Sequence, residues 1–141
     1  MRSALKRKTK NAMFDVEKQV SYWKEVAADD LRVASKLIAG REPLQALFFA
    51  HLTMEKILKA HVCRQTQDYA PMIHNLLSLA QRASIALSPE REKLLAELTT
   101  YNIRGRYPDM RGGHIENPTL QYAKSVLKQT KEMYEWLKNQ L

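Results

Sequence analysis

The sequence predicts an all-α fold, an antiparallel bundle of about five helices, three long and two shorter. Three observations carry that prediction. Apolar residues recur at three- and four-residue steps over long runs. The 4 glycines and 5 prolines of the 141 residues are too few to break those runs often. No period-two alternation of useful length appears in the sequence, so strands have no support.

The first helix is expected from about Asp15 to Ile38. Val16, Val20, Trp23, Ala27, Leu31, Ala34 and Ile38 form one stripe, with Asp29, Asp30 and Arg32 on the other side. Gly40 should end it, because a residue without a Cβ can take the left-handed cap conformation. The second helix starts near Pro43, which suits a first turn, and continues to about Arg64. It is apolar around most of its circumference: Leu44, Leu47, Phe48, Met54, Leu58 and Val62 on one face, Ala46, Phe49, Ala50, Ile57 and Ala60 over much of the rest. Such a helix is either the centre of a bundle or part of a protein interface. Glu55, Lys56 and Lys59 are its polar exceptions, and the two lysines read as a solvated face.

Residues 65–73 form a connection closed by Pro71. A short helix is expected from His74 to about Ser84, with His74 capping or packing at its start. Ser88-Pro89-Glu90 is a strong start signal for a fourth helix, expected to reach about Asn102. A loop should follow from Ile103 to Asn117, since Pro108 and the Gly112-Gly113 pair oppose a helix. The last helix begins after Asn117-Pro118-Thr119. Leu120, Ala123, Leu127, Thr130, Tyr134, Leu137 and Leu141 make a bundle-like seam.

The length fits one domain, read as residues 15–141, preceded by a basic arm over residues 1–14. That arm carries Arg2, Lys6, Arg7, Lys8 and Lys10 but lacks the apolar core of a secretory signal. No run is apolar and long enough for a membrane span. Cys63 is the single cysteine, so no intrachain disulfide forms, and a reducing cytoplasmic compartment fits. His51 and His61 fall roughly on one helical face but are too far apart along it to share a metal; no metal or cofactor is expected. The net charge of +8 favours anionic partners such as nucleotides, RNA or an acidic protein.

The densest chemistry lies in "RGRYPDMRGGH", residues 104–114. Arg104, Arg106 and Arg111 can hold a nucleotide phosphate through planar guanidinium forks, Tyr107 can stack on a base, and Asp109 can orient an arginine. A second reading is cleavage of RNA without metal. His114 would move protons near neutral pH, while Arg104 and Arg106 stabilise charge on phosphorus. A third reading is structural: Tyr107 packs on the bundle, Pro108 fixes the turn and Asp109 caps it.

Four pieces in order resemble the HEPN domain family over about residues 18–140. They are Trp23 with "AADDLRVASKLI", the apolar "ALFFAHLTMEKILKAHV" with its Lys59-Ala60 pair, His74 followed by "NLLSLA", and "RYPD" at Arg106–Asp109. The resemblance implies a bundle of about five helices, often a homodimer, associated with nucleotides or RNA. It also implies a frequent pairing with a minimal nucleotidyltransferase, the HEPN chain acting as toxin and its partner as antitoxin. Many members are metal-independent ribonucleases with an arginine, four to six residues, then a histidine. Here His114 follows Arg104 after nine residues, Arg106 after seven and Arg111 after two, so that spacing is absent. A subgroup carries a tyrosine two residues after the histidine, which its partner modifies with AMP; Glu116 stands there instead. The resemblance therefore carries over the fold and the "RYPD" segment.

Overall fold

The computed structural model describes residues 14–106 and 117–141, with the backbone alone at residues 105 and 106. Within them the chain forms five helices: α1 (Val16–Ala39), α2 (Pro43–Thr66), α3 (Leu76–Arg82), α4 (Pro89–Arg106) and α5 (Leu120–Lys138). Four are long and one is short, so α4 is longer than its sequence signals suggested. The basic arm before Phe14 lies outside the described residues.

Four of the five helix starts carry a side-chain cap, and α2 starts on Pro43 without one. The Asp15 carboxylate accepts from Lys18 N at 3.1 Å, the Asn75 side chain from Ser78 N at 3.0 Å, and the Thr119 hydroxyl from Tyr122 N at 3.1 Å. The Ser88 hydroxyl accepts from Arg91 N at 3.3 Å, with Pro89 at the first helical position. Each satisfies a backbone donor that the first turn leaves without an intrahelical partner. Because Asn75 caps α3, the helix begins two residues after His74.

Two ends differ from expectation. Gly40 has φ −80° and is not left-handed; Arg41 takes that role at φ 61°. The Glu42 N–H then reaches Leu37 O at 2.9 Å, closing the last turn of α1. At the other end of the fold, α4 runs through Arg104, Gly105 and Arg106. Pro108 restrains itself and the residue before it, Tyr107, and nothing earlier in the segment bars another turn.

Helix α2 is the centre. It packs against α1, α3, α4 and α5. Leu47, Met54, Ile57 and Leu58 are fully buried there, together with Leu76, Leu79, Leu95, Leu98 and Leu137 from the surrounding helices. Close packing of these aliphatic side chains holds α4 and α5 in place on α2. Among the described residues, no helix is long and apolar enough to cross a membrane.

Candidate phosphate-binding cleft at the α4–α5 junction

Arg104 lies in the last turn of α4, one turn beyond Tyr101. Its guanidinium sits 4.7 Å from the centroid of the Tyr101 ring, a cation–π contact. Tyr101 is buried at 3% exposure, so the surface on which the guanidinium rests is fixed by the core. Burial pushes the Tyr101 phenol up, and the Arg104 charge opposes that shift.

Tyr101 and Arg104 line a cleft of about 440 Å³ with Glu97, Asn117, Pro118, Thr119 and Tyr122. The cleft is built from the end of α4 and the start of α5, the two stems of the segment between them. Thr119 is the N-cap of α5, whose first turn contains no acidic residue. The positive end of that helix dipole and the Arg104 charge thus both favour an anion. Glu97 brings one carboxylate to the same cleft and restricts where an anion can sit.

Of the residues singled out in the sequence, Arg104 reaches this cleft and Arg106 ends α4. Tyr107, Asp109, Arg111 and His114 lie outside the described residues.

A second polar constellation joins α2 to the start of α3. Glu55, in the middle of α2, is buried at 4% exposure. His74 Nδ1 donates to its Oε1 at 2.9 Å, and Lys59 Nζ donates to its Oε2 at 3.2 Å. His51 Nε2 donates to the His74 backbone carbonyl at 3.0 Å. His74 is therefore held by both side chain and backbone. Two residues on, Leu76 N donates to Thr99 Oγ1 on α4 at 3.3 Å, five residues before Arg104. This polar set positions α3 and α4 on α2.

The expectation of a solvated face for the lysines is corrected here. Lys59 is 7% exposed, with its ammonium 5.3 Å from the Trp23 ring centroid, and Lys56 pairs with Asp30 of α1. The packing of α1 against α2 takes both lysines out of bulk solvent. A charged pair four residues apart inside an apolar helix was the available signal for a buried network.

His61 Nε2 donates to Leu137 O in the last turn of α5 at 2.8 Å. Burial lowers its pKa, outweighing the opposing effect of that hydrogen bond. Among the described residues, no group of three or more His, Cys, Asp or Glu side chains is arranged to hold a metal ion.

A sequence model of the HEPN domain matches residues 20–140 of this chain. Among solved structures, the crystal structure of TT1696 from Thermus thermophilus is similar, with a TM-score of 0.74 at 20% sequence identity. The similarity covers 87% of this chain and 98% of that one, and it shows a shared fold. A search of curated proteins returns no match.

Proposed function

The chain belongs to the HEPN domain family, and from that premise we propose a nucleotide- or RNA-associated role centred on the end of α4. The observation that carries it is the Arg104 guanidinium laid against the buried Tyr101 ring in a cleft shared with the start of α5. A guanidinium beside an aromatic ring carries a permanent positive charge on a planar fork of donors, the geometry that suits phosphate. Arg106 and Arg111 add cations close by in the sequence, Tyr107 offers a stacking ring, and Asp109 can orient an arginine. The net charge of +8 raises the local concentration of polyanions.

Family membership supports a finer version of this reading, a cytoplasmic toxin whose antitoxin is a nucleotidyltransferase-like partner. The partially exposed apolar residues Val33, Leu37, Phe48 and Leu52 of α1 and α2 support a homodimer. Nuclease chemistry is the alternative, with His114 moving protons and Arg104 and Arg106 stabilising the phosphorane charge. A non-catalytic dimerisation module is the third.

Incubation of the protein with total RNA in EDTA, beside Arg106→Ala and His114→Ala, separates these readings. Cyclic phosphate ends from the wild type and none from either variant mark a nuclease. Without cleavage, a rise in melting temperature with ATP or an oligoribonucleotide that Arg104→Ala or Arg106→Ala abolishes marks a binding protein. A tight complex with a nucleotidyltransferase-like partner that ignores both substitutions marks an interaction module.

A further inference from the structure

Glu97 and Arg104 stand seven residues apart on α4, and both line the cleft. Seven residues make almost two full turns, so the two side chains leave nearly the same side of the helix, separated along its axis by about 10 Å. Tyr101 lies between them, buried, with its ring beside the Arg104 guanidinium. From α5, Tyr122 lines the same cleft and is partly buried against the core. Glu97 is half-buried. Among the described residues it enters no ion pair, either with Lys93 one turn before it or with Arg104 two turns after it. The cleft therefore has an acceptor end, a cationic end and an aromatic wall.

The two ends ask different things of a ligand. A free phosphate uses the Arg104 end alone. A phosphate strand laid through the whole cleft meets the Glu97 carboxylate, which repels it. A ligand that satisfies both ends carries phosphate at one and N–H donors at the other. A nucleotide is built that way, and a separation of this order suits the reach from the Watson–Crick edge of a purine to its 5′-phosphate. The cleft volume of about 440 Å³ is that of a small-molecule site. The carboxylate then chooses the base, because it has two acceptor oxygens and no donor. Guanine presents two adjacent donors on its Watson–Crick edge, N1–H and the 2-amino group. Adenine and cytosine set a ring-nitrogen lone pair beside a single amino group, and uracil flanks its one N–H with carbonyls. Each of these three would turn an acceptor toward the carboxylate.

We propose that the cleft between α4 and α5 is a guanine-nucleotide site. Glu97 accepts from N1–H and the 2-amino group, Arg104 holds the 5′-phosphate, and Tyr122 offers a ring on which the base stacks. The inference rests on the nucleotide reading above and specifies its base.

The test is calorimetric titration with guanosine, inosine and adenosine 5′-monophosphates, which carry the same phosphate and differ only in the base. The guanosine nucleotide should bind about tenfold tighter than the inosine one, which lacks the 2-amino donor; that is the scale of one hydrogen bond to a charged group. The adenosine nucleotide should bind more weakly still. Glu97→Gln should erase or reverse the preference for guanosine over adenosine, because an amide can accept from the adenine 6-amino group and donate to N1. Arg104→Ala should weaken all three alike and keep their order. Equal affinities for the guanosine and adenosine nucleotides in the wild type, or a preference that Glu97→Gln leaves intact, overturn the guanine site. Binding that still depends on Arg104 in that case leaves the nucleotide reading standing. If none of the three binds, the guanine site is overturned. An oligouridylate held in an Arg104-dependent way then keeps the RNA reading, and one that is not held removes it as well.

Discussion

Glu55 Oε1 lies 2.9 Å from His74 Nδ1, tying the middle of α2 to the residue just before the cap of α3. The other carboxylate oxygen takes Lys59 Nζ at 3.2 Å, so one buried carboxylate serves two donors. Glu55→Ala leaves the Lys59 ammonium buried without its acceptor. Removing one member of a buried pair costs about 3–5 kcal/mol. His74→Ala removes a partner that is itself half exposed, at 52%, and should cost about 1 kcal/mol, the usual net value of one hydrogen bond. Urea unfolding of the two variants measures the difference. Equal and small losses would mean that Glu55 is not the anchor.

The His61 ring predicts a pH dependence with a definite sign. Burial holds its folded-state pKa below 6.5, so the neutral ring is the form that α2 and α5 accommodate. Below about 6.5 the unfolded chain takes up a proton that the folded chain resists. The contribution of this residue is thus complete above that pH and falls as the solution is acidified toward the lowered folded value. His61→Gln has no such proton to bind. Melting temperatures of wild type and variant should converge or cross between neutral and mildly acidic pH, with the wild type losing more. Parallel curves would remove His61 as the cause.

Most of the helical layout was legible because apolar periodicity and cap residues act locally. Ser88-Pro89, Thr119 and Pro43 mark helix starts within a few residues, and the structure places starts there. Boundaries failed where a long-range contact or a permissive stretch decided them. Within 104–106 only Gly105 disfavours a helix, by about 1 kcal/mol, too little by itself to end one, and Pro108, which suggested the loop, lies beyond them. The Glu55–His74 contact joins residues 19 positions apart in sequence, which helical periodicity cannot reveal. Arg104 was legible as a cation, but its resting place on Tyr101 follows from the extra turn of α4.

The pairing of Asp30 with Lys56 joins α1 to α2. Val33 and Leu37 of α1 and Phe48 and Leu52 of α2 are all partially exposed. If this face meets a second copy, a charge at its centre should separate the protomers while leaving the core intact. Leu52→Glu is expected to halve the mass seen by light scattering, with helical circular dichroism retained. An unchanged mass would locate the dimer elsewhere or show a monomer from the outset.

The contact between Arg104 and Tyr101 makes a sharper prediction about recognition, because the two residues contribute differently. Tyr101→Phe keeps the ring face beside the guanidinium and removes the hydroxyl, which also interacts with Arg104. It should weaken RNA or nucleotide binding less than loss of the ring does, since cation–π attraction resides in the ring face. Tyr101→Leu keeps bulk in the core but removes the face, so Arg104 loses its orientation. Arg104→Lys retains the charge but loses the planar fork, and should weaken binding about tenfold if phosphate is held bidentately. Arg104→Ala should weaken it at least as much. The order expected in a binding titration is therefore wild type, then Tyr101→Phe, then Tyr101→Leu and Arg104→Lys, then Arg104→Ala. If Arg104→Lys matches the wild type, charge alone acts at this cleft and the stacked geometry plays no part in recognition.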